Sequence, residues 1–201
     1  MVSELLFSIE QYIRSGGIVM IPILMVSCLM WLLIINRVFF LRKLYVKNIS
    51  RSEAGRLVRE NRPPEPKYQG ANSMLVRAFL TARSHDPELD DFILDETVMS
   101  LISAMDTYLS TIRVLAGVAP LLGLLGTVVG MMSTFEVITV YGTGNAKAMA
   151  GGISVALVTT QTGLMVSIPG LYMSGWLAKR ANNLKSRIAA TGIYLKRFIQ
   201  E

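Results

Sequence analysis

AMAGGISVALVTTQTGLMVSIPGLYMSGWLA, residues 148–178, is an uncharged run of 31 residues between Lys147 and Lys179. A helix needs only about 20 apolar residues to cross a hydrocarbon core, so this run has the length and character of a membrane span. Its middle is unusual, because Thr159, Thr160, Gln161 and Thr162 follow one another where a lipid-facing helix carries aliphatic side chains. Four successive residues sweep about 300° of a helical wheel. The span is therefore expected to meet protein or water on more than one side, yet no charge stands near its centre.

Two further uncharged runs have the same length class. Ser15–Asn36 lies between Arg14 and Arg37, Val114–Phe135 lies between Arg113 and Glu136, and each has 22 residues. With 52% hydrophobic and 17% charged residues, the chain is too apolar for an ordinary soluble domain. The expected fold is an all-α integral membrane protein with three transmembrane helices and long helices extending into the cytoplasm. The start, MVSELLFSIEQ, puts Glu4 and Glu10 where a cleavable signal has its basic region, so all three spans are expected in the mature protein.

The net charge of +6 suggests nucleic acid only until its distribution is considered. Residues 37–113 hold 12 Lys/Arg and residues 179–197 hold six, against Arg14 alone in 1–36 and Lys147 alone in 114–178. Three spans place both basic segments on one side. The positive-inside rule makes that side cytoplasmic, with the N-terminus outside and the C-terminus inside. No nucleic-acid partner is expected, and membrane lipids are the surroundings.

The expected segments are an outer-face amphipathic helix over 1–16, built on Val2, Leu5, Leu6, Ile9 and Ile13; span 1 over 17–40; and a cytoplasmic helical domain over 41–111. Span 2 follows over 112–140, a periplasmic loop over 141–149, span 3 over 150–178 and a cytoplasmic C-terminal helix over 179–201. Within the cytoplasmic part, RPPEP at 62–66 ends any helix, and NSMLVRAFLTAR forms a short amphipathic one. Asp86-Pro87-Glu88 supplies an N-cap, a proline at the first helical position and an early acid. With no breaker before Gly117, that helix is predicted to run unbroken into span 2. Its apolar stripe is wide enough to require covering by other helices or subunits.

Spans 2 and 3 differ in kind from the bulky span 1. Gly123, Gly126 and Gly130 lighten span 2, and Gly126/Gly130 form a small-xxx-small pair that admits a close helix neighbour. At 100° per residue, Thr127 shares a face with Pro120, Gly123, Gly130 and Thr134, while Thr160 shares one with Ala156, Gly163 and Ser167. The short connection YGTGNAKAMAGG makes the two spans an antiparallel hairpin, so both hydroxyl-bearing strips can face one axis. Intramembrane ion paths usually contain Asp, Glu or His; here Glu136, about 13 Å outward of Thr127, is the nearest acid and a candidate outer-mouth group. Any proton passing the middle must use an acid supplied by another chain.

Chemistry of other kinds finds no support. GTGNAK at 142–147 lacks the Gly-Lys-Ser/Thr ending of a phosphate loop. One cysteine, Cys28, and one histidine, His85, make neither a metal cluster nor a nucleophile pair. No enzyme activity, cofactor or metal is expected.

GVAPLLGLLGTVVGMMSTF in span 2 and GGISVALVTTQTGLMVSIPG in span 3 resemble the MotA/TolQ/ExbB proton channel family, and ExbB and TolQ more than the four-span MotA. The likeness extends to the layout of the whole chain. It implies a homopentamer in the bacterial inner membrane whose spans 2 and 3 line a central pore. That pore holds a partner dimer of the ExbD or TolR type, with an aspartate on its single membrane helix. It also implies that Thr127 and Thr160 face that aspartate, and that proton flow drives work on an envelope partner such as TonB. Where ExbB and TolQ usually carry Glu in G-I-x-E-A-L, this chain has Val155, and its TTQTG is more polar than the A-T-A-I-G of the family. The alternatives are TolQ-like envelope maintenance or a gliding-type motor. From other classes come a membrane scaffold whose small strips only pack helices, and a channel or carrier that works without a partner.

Overall fold

A computed structural model of the chain describes residues 7, 11, 12, 15–46 and 48–199. Among these residues the fold is all-α, with helices α1 (Met20–Val46), α2 (Arg51–Arg59), α3 (Ala71–Ala82), α4 (Pro87–Asp106), α5 (Leu109–Tyr141) and α6 (Ala146–Ile199). Three stretches, Met20–Tyr45, Pro87–Tyr141 and Ala146–Ile199, are long and apolar enough to cross a membrane. Most of the expected amphipathic helix over 1–16 lies outside the described residues.

The contacts divide the chain into two compact units, one of Met1–Ile34 with Thr111–Ser174 and the other of Ile35–Ser110 with Gly175–Glu201. In the first, Val19, Met20, Ile23, Met30 and Ile34 of the α1 side and Ala116, Ala119 and Ala156 of α5 and α6 are buried. Leu121, Met132 and Phe135 of α5 and Leu157, Met165 and Tyr172 of α6 stand well exposed. Exposed apolar side chains in this number suit a surface that meets lipid or other subunits rather than water.

In the second unit α2, α3 and α4 fold against the C-terminal half of α6. Lys185 pairs with Asp106, a Cβ on Gly192 would meet Val98, and Lys196 pairs with Asp91 and Asp95 at 2.9 and 2.7 Å. Ascending numbers on α6 thus meet descending numbers on α4, an antiparallel packing that buries Leu94, Leu101 and Met105 against Leu184, Ile188 and Leu195. This covers part of the wide stripe of α4, while Leu89 and Phe92 stay exposed. Gly55 of α2 lies so close to the Phe198 ring that a Cβ would stand 2.8 Å from it. Ser50 caps α2 by accepting from the Glu53 amide at 3.2 Å, the half of a capping box that S-x-x-E announces in the sequence. Asp86 caps α4 in the expected way, accepting from the Glu88 amide at 3.1 Å.

One expectation is overturned. The helix starting at Pro87 does not run unbroken into span 2: it stops at Asp106, Thr107 is extended at ψ 131° and Tyr108 is left-handed at φ 64°. No glycine or proline marks this break, and a left-handed Tyr is costly by itself. The compensation comes from far away in the chain. The buried Arg37 guanidinium donates to the Ala104 carbonyl at 2.7 Å and to the Met105 carbonyl, satisfying acceptors that the broken helix leaves open. Arg37 also lies over the Phe40 ring, 4.6 Å from its centroid. Span 3 and the C-terminal segment, by contrast, form one helix with only Pro169 interrupting its hydrogen-bond ladder.

Candidate functional site

The centre of the membrane-type unit is a seam between α5 and α6 built from residues almost without side chains. A Cβ added to Gly123 would lie 3.0 Å from the Thr159 carbonyl oxygen, one on Gly130 would lie 2.7 Å from the Ala156 amide, and one on Gly163 would lie 2.6 Å from the Ala119 carbonyl oxygen. Gly126 lies directly under the Thr159 side chain, and Gly152 under Thr134. Backbone meets backbone along the whole seam, the approach that small-xxx-small spacing permits and larger residues forbid. Gly170 continues the line toward Ala116 and the thioether of Met30 on α1.

The seam sets the threonines apart from one another. Thr159 is fully buried at its middle and donates to the carbonyls of Val155 and Ala156 at 2.8 and 3.1 Å. Thr160 stands at its edge, half-buried, with its hydroxyl shared between the Ala156 carbonyl of its own helix at 3.0 Å and the Gly123 carbonyl of α5 at 3.2 Å. In an α-helix the Gly123 carbonyl also receives the amide of Thr127, four residues on. Thr127 is likewise half-buried, and its hydroxyl donates to the Leu124 carbonyl at 2.6 Å. Thr127 and Thr160 therefore flank one helical turn across the seam. Each hydroxyl spends its proton on a main-chain carbonyl and keeps oxygen lone pairs with which to accept.

Thr134, Ala156, Gly163 and Ser167, placed by the helical wheel on the same strips, are buried inside the seam in the single chain. The wheel puts these residues on one small face, and in the chain that face is taken up by the adjacent helix. Thr134 donates to the Gly130 carbonyl at 3.0 Å. Thr162 is buried too, accepting from the Tyr12 hydroxyl at 3.0 Å while donating to Val158, and Gln161 is exposed. Val155, where the family usually has Glu, has its methyl groups within 3.8 Å of where a Cβ on Gly17 would stand, an apolar packing position. Glu136 is exposed near the end of α5. Among the described residues no three His, Cys, Asp or Glu cluster as metal ligands.

Outside the membrane-type segments, two charged groups brace the second unit. Burial would raise the Asp90 carboxyl, but the Ser84 amide at 2.8 Å, the Arg83 guanidinium at 2.9 Å and the Ser84 hydroxyl hold it below its ordinary value. Asp95 and Asp91 raise the Lys196 ammonium.

Comparison with known proteins agrees with this architecture. Residues 67–190, which contain both spans of the seam, match the MotA/TolQ/ExbB proton channel family. The chain is 33% identical over 168 residues to an ExbB-like 3 biopolymer transport protein of Synechocystis sp., covering 80% of each. It is 30% identical over 186 residues to an ExbB homolog of Methanothermobacter thermautotrophicus, covering 88% of this chain and 65% of that one. Biopolymer transport protein exbB1 of Vibrio cholerae is 22% identical over 96% of this chain and 89% of its own length. An all-helical chain with three stretches able to span a membrane, a glycine seam and this family match is a multi-pass membrane protein that belongs to the MotA/TolQ/ExbB proton channel family.

Proposed function

We propose that the protein is the proton-channel subunit of an inner-membrane motor of the ExbB–ExbD or TolQ–TolR type, coupling the proton motive force to work on an envelope protein such as TonB. The carrying observation is the Thr127/Thr160 pair, two half-buried hydroxyls flanking one turn of a close-packed seam in a helix pair without central charge. In this reading the N-terminus is outside, the basic second unit is cytoplasmic, and five copies surround a partner dimer. The partner's aspartate moves past the Thr127/Thr160 edge of successive subunits.

Hydroxyls suit that passage. Their lone pairs accept from the protonated acid, and rotation of the hydroxyl lets them donate to the carboxylate, so neither form is trapped as it would be by a fixed counter-charge. Each proton crossing 100 mV releases about 2.3 kcal/mol. Thr134, Ala156, Gly163 and Ser167 support the path from inside the seam, Gly123, Gly126 and Gly130 set its spacing, and Glu136 gathers cations at the outer mouth. Thr160→Val, co-expressed with a single-span, aspartate-bearing partner, is expected to assemble normally and lose proton-driven activity. Unchanged activity would remove Thr160 from the path. A scaffold without ion flow predicts that same tolerance at Thr127.

A further inference from the structure

Beside the C-terminal half of α1 the second unit holds an open cavity of about 510 Å³. Its apolar wall is made by Phe40 and Leu44 of α1 with Met74 and Ala78 of α3, and two cations, Lys43 and Arg77, stand on its lining with no acidic residue among them. Lys43 takes no part in any ion pair among the described residues, and Arg77 makes only a long bond of 3.4 Å to the Pro64 carbonyl. Cations that are left uncommitted beside an apolar wall match an anion carried on a hydrocarbon. The volume falls within the range of small-molecule sites, about 300–1,000 Å³.

The position along α1 selects among such anions. Lys43 follows Phe39, 67% exposed, by one helical turn, where the uncharged run of the first span has just given way to Arg37, Arg42 and Lys43. A span of this length puts that turn at the headgroup level of the leaflet it enters. We propose that the cavity binds an anionic phospholipid of the cytoplasmic leaflet, its phosphate between Lys43 and Arg77 and its glycerol and upper acyl carbons along Phe40, Leu44, Met74 and Ala78. The site rests on the membrane placement proposed above and is independent of the proton path. A bound lipid there would tie α3 to the end of α1 and so fix the second unit at the membrane surface.

The test counts phosphatidylglycerol retained by the full chain, purified with its partner and examined by native mass spectrometry after graded delipidation, with phosphatidylcholine as the neutral comparison. Lys43→Gln with Arg77→Gln is expected to lose retention by about fivefold per cation, and Ala78→Trp, which fills the cavity without changing charge, is expected to lose it as well. Arg51→Gln with Arg56→Gln removes the same charge from the same basic segment at residues that do not line the cavity, and is expected to retain lipid like the parent. Circular dichroism and assembly size check folding of each variant. Equal retention in all variants, or equal loss in the charge-matched control, would overturn the site. So would displacement of the lipid by soluble glycerophosphate or by a glutamate-rich peptide at equal concentration. An impermeant maleimide on Ser52→Cys should label inverted vesicles only; labelling of right-side-out vesicles alone would overturn the membrane placement and the lipid site with it, whereas lost proton coupling leaves both standing.

Discussion

Gly163→Ala adds one methyl group where the seam sets backbone against backbone, and its cost can be worked from the packing. The new Cβ would lie 2.6 Å from the Ala119 carbonyl oxygen, 3.2 Å from the Gly123 Cα and 3.3 Å from the Gly123 amide. All three are backbone atoms, so no side chain can swing aside. An ordinary carbon–oxygen contact is about 3.3 Å, and the helices must part locally by about 0.7 Å. That displacement carries the Thr160 hydroxyl out of reach of the Gly123 carbonyl, now 3.2 Å away. The lost interhelical bond is worth about 0.6–2 kcal/mol and the overpacking about 1–3 kcal/mol, against a helix-propensity gain of under about 1 kcal/mol. The net expectation is a destabilisation of about 2 kcal/mol, read as a lower unfolding midpoint in mixed detergent micelles, together with impaired proton-driven activity. Gly117→Ala is the control, because nothing lies within 4 Å of its added Cβ; it should be neutral or slightly stabilising. Equal midpoints for the two variants would refute the close-packed seam.

Other perturbations probe the second unit. Asp90→Ala removes the partner of Arg83 and leaves the Ser84 amide without its acceptor, an expected cost of about 3 kcal/mol for a buried ion pair. Because the folded Asp90 carboxyl lies below its ordinary 3.8, its contribution is present above that pH and lost as pH falls through the lowered value. Acid titration of Asp90→Asn should lack that step. Lys196 has the opposite sign: its ammonium is raised above 10.5 by Asp95 and Asp91, so its stabilisation is full below that pH and fades as pH rises through the raised value. Lys196→Met should abolish the alkaline loss at a neutral-pH cost under about 1 kcal/mol, since Asp95 is largely exposed. Arg37→Met strands the Ala104 and Met105 carbonyls and should cost about 2 kcal/mol, with amide exchange speeding up more at Thr107 and Tyr108 than within α4.

The three spans, the caps at Asp86, the stop at RPPEP and the small faces of the second and third spans were all legible because each depends on residues close in sequence. Length without charge, an acceptor before a proline and glycine at helical spacing act locally, whatever the remainder of the chain does. The break at Thr107–Tyr108 was not legible, since its stabilising guanidinium belongs to Arg37, 67 residues before Ala104. The start of α2 has a local signal too, since Ser50 and Glu53 stand at capping-box spacing.

The TTQT run of the third span divides along the same line. By itself the sequence determined that these residues lie within a membrane helix and that no acid accompanies them, because hydropathy and charge are additive along a chain. Their separate surroundings follow from how the helices pack. Thr159 is sealed over Gly126, Thr162 is taken by Tyr12, Gln161 is exposed, and Thr160 stands at the seam edge beside Thr127. A helical wheel fixes angles about one axis, whereas burial depends on which neighbour occupies each angle, and that neighbour is chosen by how closely glycines allow two backbones to approach.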